Sequence, residues 1–377
     1  MESANGKKVL ISGASIAGLA TAYWLAKLGY HVTVVELAQG PRLGGAAVNI
    51  QGEALASAKR MGIFAQLKAN RLQLEQLAFK NADDVTEGSM QLQSAGPPLA
   101  DDAMEEIEIE RNKLVPLLVG ALGKEVDFLF NNRITALSET AAAVHVTFAA
   151  GPPRAFDLVF GCDGAHSGVR KLWFANEPEC VHSLGYYFSL TIVNALLVRQ
   201  NTAQLFNVPG KGIMLNAYNG KTDIIFWFAS EKEISYDYRN AEQQRQLVVA
   251  QFAGQGWRTA ELLEEVKQAE ISYFDKFCQV KMPSWTKGRV ALVGDAGYCA
   301  SPAAGVGASL AMTGAAAVAE ALATHDGDFD RAFRAYNDRL RPVVAEVQAT
   351  ALTMLSEYFV PKTAEAIRLR NEQGIPL

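Results

Sequence analysis

Val9-Leu-Ile-Ser-Gly13-Ala-Ser-Ile-Ala-Gly18 is the stretch on which the fold turns. An apolar run enters a glycine-bearing turn, and the small and apolar residues 19–28 then read as a helix stopped by Gly29. A second apolar run, His31-Val-Thr-Val-Val35, ends in Glu36. This is the pattern of a βαβ dinucleotide unit, in which glycines allow a tight turn and the helix N-terminus faces a pyrophosphate. The acid about 20 residues beyond the glycines receives ribose hydroxyls. Ser15 stands where the fingerprint has its middle glycine. It is a mild replacement, adding one hydroxymethyl group that can itself donate to a phosphate.

Two later segments repeat the theme of a strand ending at a glycine and an acid: Gly161-Cys-Asp-Gly-Ala-His-Ser-Gly-Val-Arg170 and Val290-Ala-Leu-Val-Gly-Asp295. In the third motif an aspartate at a strand end suits a polyol hydroxyl. Beyond Pro302-Ala-Ala-Gly-Val-Gly307 a helix begins, whose N-terminus offers N–H groups and partial positive charge to the pyrimidine edge of a reduced isoalloxazine. A nicotinamide dinucleotide needs only the first motif, whereas a flavin with a ribityl chain needs the third as well. FAD is therefore the dinucleotide expected.

The 377 residues suffice for two domains, and 49% hydrophobic against 20% charged residues allows a substantial core. A net charge of −5 offers no electrostatic footprint for nucleic acid. No uninterrupted apolar run reaches the ~18 residues of a bilayer span, and no stable membrane insertion is expected. The N-terminal residues lead directly into the first strand, with no signal-peptide pattern. Four cysteines without paired or metal-ligand spacing fit a reduced, cytoplasmic setting, and no metal is expected.

Along the chain, residues 53–61 read as a helix closed by Gly62, 107–111 as a short strand and 113–122 as a helix. Residues 156–163 form a buried parallel-type strand. From about 180 to 278, runs such as Tyr186-Tyr-Phe-Ser-Leu-Thr-Ile-Val193 and Asp223-Ile-Ile-Phe-Trp-Phe228 suggest an antiparallel sheet, followed by a helix at 241–253. Residues 306–322 read as a small-residue helix. A further helix at 331–340 is interrupted by Pro342, with an apolar face continuing to Tyr358.

Taken together, the first motif with its ribose acid, the arginine of Glu110-Arg-Asn-Lys-Leu114, the Asp163-Gly164 segment and Gly294-Asp295 resemble the class A FAD-dependent monooxygenases, the aromatic hydroxylase family. The stretch from Gln279 to Cys299 is most similar to the tetracycline destructases. The resemblance implies an α/β fold with three parts. A Rossmann-like FAD-binding domain of glutathione-reductase type would comprise residues 1–72, 102–179 and 280–325. An inserted antiparallel-sheet substrate domain would take 73–101 and 180–279, and a C-terminal helical tail 326–377.

The same resemblance gives Gly13, Ser15 and Gly18 to the pyrophosphate and Glu36 to the adenosine ribose. Arg111 would reach the phosphate or ribityl region, and Asp163 would support FAD and transient nicotinamide contact. Gly294 and Asp295 would hold the ribityl chain or pyrophosphate. Arg42, Gly44, Gly45, Pro302, Gly305 and Gly307 would flank the flavin, although residues 304–308 are less polar than is usual in that subgroup. Tyr187, Phe226 and Phe228 are expected to wall a pocket for a flat substrate.

The chemistry implied is flavin-centred, with no catalytic side chain. NADPH or NADH reduces FAD, O2 is captured as a C4a-hydroperoxide, and an electron-rich aromatic or polycyclic small molecule, tetracyclines included, is hydroxylated. A single fingerprint implies no separate nicotinamide domain, and a monomer is expected. A flavin reductase or dehydrogenase that stores no hydroperoxide, and a non-catalytic binder of polycyclic ligands, are the competing readings. A halogenase is disfavoured because Gly256-Trp257 is followed by Arg258 and Thr259.

Overall fold

The structure, a computed structural model, describes residues 6–92, 106–237, 239–269 and 272–375. The expected boundary at 101/102 lies outside the described residues. The chain divides into two compact units, one of Met1–Arg71, Glu105–His182 and Cys278–Ala349, the other of Leu72–Met104, Ser183–Phe277 and Thr350–Leu377.

In the first unit, a six-stranded sheet runs in the order Thr286–Lys287, Val290–Leu292, Leu158–Gly161, Lys8–Ser12, His31–Val35 and Val126–Leu129. The last five strands are parallel and the edge strand Thr286–Lys287 is antiparallel. Val9, Leu10, Ile11, Val159, Phe160, Val290 and Leu292 are fully buried. Such near-continuous apolar runs are what a parallel sheet covered on both faces demands. A separate antiparallel sheet of Ile134–Glu139, Val144–Phe148 and Arg154–Phe156 completes the mixed α/β architecture.

The first helix is Ile16–Lys27, starting three residues before the expected 19. The glycine-bearing turn is shorter than its composition suggests, because Gly18 sits inside the helix. A Cβ there would collide with the Gly13 carbonyl oxygen. The helix after the second acidic strand runs Arg111–Gly120 rather than 113–122, with Glu110 at its N-cap position. The small-residue helix Gly307–Thr324 is long and apolar enough to cross a bilayer by length and composition alone, but 72% of it is buried inside the protein.

Pro342 does not interrupt the helix that contains it, which runs unbroken from Phe329 to Thr353. Proline removes one backbone donor and crowds the preceding turn. Here the adjacent Arg341 offsets part of that loss. Its Nη1 and Nη2 donate to the carbonyls of Met282 (3.2 Å) and Pro283 (2.8 Å), and its guanidinium lies 4.7 Å from the Trp285 ring centroid.

In the second unit a seven-stranded sheet runs in the order Ser272–Val280, Val181–Val193, Lys221–Ala229, Lys211–Tyr218, Thr202–Val208, Gln76–Lys80 and Thr86–Gln91. Its described pairings are antiparallel except that of Thr202–Val208 with Gln76–Lys80. The helix Ala241–Phe252 is joined by Thr259–Gln268, which was not anticipated, although Leu262, Leu263 and Val266 carry a helical spacing and are buried.

The C-terminal region is helical. Residues 326–349 group with the first unit and Thr350–Leu377 with the second. There a π-helical turn, Met354–Phe359, precedes the helix Ala364–Gln373. Buried Arg370 ties that helix down, donating to Asn207 Oδ1 at 2.7 Å and the Tyr358 carbonyl at 2.6 Å.

Candidate functional site

Three strand ends of the parallel sheet, after Ser12, Gly161 and Leu292, bring the three motifs side by side in the first unit. Gly13 has φ +105°, and a Cβ there would lie 2.5 Å from the Cys162 carbonyl oxygen, so only glycine lets the first two motifs approach this closely. Gly294, at φ +69°, plays the same part for the third motif: its Cβ would meet the Ala17 methyl at 3.0 Å.

Glu36 stands at the exit of the second strand. Its carboxylate accepts from the N–H groups of Ala14 and Ala38, each at 2.8 Å. The acid is thereby fixed beside the glycine turn, with further lone pairs on each oxygen for hydroxyl donors. The N–H groups of Ile16, Ala17 and Gly18 begin the first helix, ahead of its first intrahelical bond from Leu19 to the Ser15 carbonyl. They present a cluster of donors suited to an anion.

Arg111 gathers the remaining pieces. Its Nη1 donates to Ser15 Oγ at 3.3 Å, and a Cβ on Gly45 would sit 3.2 Å from its Nε. It is also the charge that acts on Asp295. Burial raises the Asp295 carboxyl above its ordinary range, while Arg111 and a hydrogen bond with Cys299 pull it down. Asp295 nevertheless keeps an exposed surface. Arg42 and Gly44 are exposed in the same loop as Gly45, and Pro302, Gly305 and Gly307 are exposed where the helix Gly307–Thr324 begins. Ser309 pins that helix start by donating to the Asn49 carbonyl (2.8 Å) and accepting from the Gln51 N–H (3.0 Å).

Asp163 is spoken for locally. It accepts from Ser12 Oγ (3.3 Å), Ser167 Oγ, and the N–H groups of Gly168 (2.9 Å) and Val169 (3.1 Å). Burial raises its carboxyl while these donors oppose the rise. It shapes the second motif's turn and the helix Gly168–Trp173.

Sequence reasoning passed over Arg170 although it closes that motif. Its fully buried guanidinium donates to Ala296 (2.8 Å) and Ala165 (2.5 Å) carbonyls, coupling the second motif to the third. The signal was an arginine seven residues after the motif's aspartate in a stretch with no call for a surface cation.

Tyr187, Phe226 and Phe228 lie deep in the second unit. All three are buried to 1% exposure or less in the core of the second unit, with Phe252, Leu262 and Val266 of its two helices. Tyr187 stacks on Phe228 at 5.5 Å and Phe226 packs edge-on against Phe252 at 4.8 Å. They lie on the sheet face that the two helices cover.

The first-turn donors, Glu36 and the Asp295–Arg111 pair fit a dinucleotide with a polyol arm, so fold and site define a flavin-dependent oxidoreductase. Residues 7–351 match the FAD binding domain family, and the chain belongs to it. A flavin-dependent monooxygenase of Legionella longbeachae serogroup 1 is 33% identical over 370 residues, 97% of this chain and 93% of that one. An uncharacterized protein of Mycobacterium tuberculosis (strain ATCC 25618 / H37Rv) is 37% identical over 337 residues, 88% and 89% of the two chains. The crystal structure of the tetracycline destructase Tet(51) superposes with a TM-score of 0.84 at 35% identity, covering 97% of this chain and 94% of that one. The chain is an FAD-dependent monooxygenase.

Proposed function

We propose that this monooxygenase takes electrons from NADPH or NADH and hydroxylates an electron-rich polycyclic substrate, with tetracyclines within its range. The observation that carries the reading is full-length likeness to a tetracycline destructase, joined to a sheet in the second unit with one face free of the two helices. Bound FAD supplies the oxygen activation.

The chain's own residues bind and orient. The N–H groups at the start of the first helix and Arg111 would hold the pyrophosphate. Glu36 would take the adenosine ribose hydroxyls and Asp295 the ribityl hydroxyls. No side-chain nucleophile is required.

For the substrate, alternation along the strands favours a different set from the one expected. Phe188, Ile192, Met214 and Ile225 lie half-buried on the sheet face opposite Tyr187 and Phe226. Asn216 lies among them, and its buried Oδ1 has no hydrogen-bond partner among the described residues. An apolar surface with one orienting polar group suits a flat, partly oxygenated ring system.

The test follows NADPH oxidation and product mass with tetracyclines and with simple phenols. Tetracycline-stimulated oxidation with a product one oxygen heavier is expected. Stimulation by phenols alone would overturn the substrate class, and reoxidation to peroxide with every substrate intact would overturn the hydroxylase reading.

A further inference from the structure

We propose that Ser15 is a positioning residue for Arg111, and that it holds the first and third FAD-binding motifs in register through that arginine. Serine at a helix N-cap ordinarily accepts from a backbone N–H two or three residues on, satisfying one orphan donor of the first turn. Ser15 occupies the N-cap of Ile16–Lys27 with extended backbone (φ −109°, ψ −167°), yet makes no such bond. Its hydroxyl oxygen accepts from Arg111 Nη1 instead, 96 residues away in sequence.

Two consequences follow. The first-turn N–H groups are left for a ligand anion rather than consumed by a cap. The guanidinium is also held at one end by Ser15, while its Nε side lies over Gly45, where a Cβ would intrude to 3.2 Å. Arg111 further exerts its charge on Asp295 of the third motif. A flexible side chain pinned in this way meets a phosphate without first giving up its rotamer freedom. Glycine at position 15 would keep the turn but release the arginine. Ser15 is then an improvement on glycine for this chain, not a tolerated blemish in the fingerprint.

The inference rests on FAD occupying this site, and the test separates the two. The full-length chain, stripped of flavin, is titrated with FAD and followed by flavin fluorescence, for wild type, S15A, S15G, R111Q and the S15A/R111Q and S15G/R111Q pairs. A hydrogen bond to a charged group sets the scale: S15A and S15G should each weaken FAD by about tenfold. In the R111Q background the same changes should cost less than about twofold, since the partner is already gone. Retained far-UV circular dichroism in S15G guards against misfolding in S15A, because glycine is the usual occupant of such turns.

If S15G binds FAD as tightly as wild type or more tightly, or if the losses at 15 and 111 simply multiply, the positioning role is overturned. Failure of wild type itself to bind FAD would instead sink the cofactor assignment.

Discussion

The first unit's motif loops and the second unit's aromatic strands use their residues in opposite ways. In and beside the motif turns, Gly13, Gly18 and Gly294 are needed because a side chain would strike a neighbouring segment. The groups beside them, Glu36, Arg111 and Asp295, are held by partners while still presenting surface or lone pairs. In the strands, the largest side chains, Tyr187, Phe226 and Phe228, are buried against helices and present nothing. The contrast teaches that chemistry here sits where backbone sterics are tight and side chains small, while bulk and aromaticity mark packing.

The largest expected effect on flavin binding breaks the tight side of the comparison. Gly18→Ala places a methyl against the Gly13 carbonyl oxygen, a backbone atom that cannot step aside. It should destabilise the chain by about 3 kcal/mol, the upper range for overpacking. The protein should purify without flavin, as thermal melting and the visible spectrum would register. A yellow protein of unchanged Tm would show that the turn is looser than described.

The second prediction contrasts the two sheet faces. Phe226→Ala should cost about 3–5 kcal/mol of stability and leave KM for the substrate unmoved in whatever fraction folds. Phe188→Ala, on the half-buried face, should cost about 1 kcal/mol and raise KM several-fold. Chemical denaturation paired with steady-state kinetics checks both, and a KM effect confined to Phe226 would reverse the assignment of faces.

The smallest effect concerns Asp295. Its carboxyl titrates above the ordinary value of 3.8 in the folded chain because burial disfavours its charge. The folded state then binds more protons than the unfolded state between those two values, so stability falls as pH rises through that window. Asp295→Asn should accordingly raise the Tm of the flavin-free chain at pH 7, and the gain should shrink as the pH falls through that window and be gone by about 4. At the same time FAD should bind more weakly. A Tm gain independent of pH would point to packing instead.

Much of the first unit was legible because its signals are local. An apolar run, a glycine turn and an acid about 20 residues on are read along the chain, and the helix Glu53–Met61 with its Gly62 stop could be placed to the residue. The meeting of Ser15 with Arg111, and of Arg170 with Ala296, was not legible, since each joins segments about 100 or more residues apart.

Strand alternation showed that Tyr187 and Phe188 point to opposite faces, but not which face the helices would cover. Pro342 misled because a local rule about helix breaking does not hold in this long helix, whose neighbouring Arg341 is anchored to the Pro283 carbonyl.

The central claim is that this chain uses bound FAD to transfer one oxygen atom from O2 to an organic substrate. Turnover under isotopically labelled dioxygen, with NADPH and a tetracycline, followed by mass spectrometry of the product, tests it most directly. The account predicts one labelled atom incorporated per product molecule and NADPH consumed in matching amount. Unlabelled product, or labelled hydrogen peroxide with the substrate untouched, would contradict it.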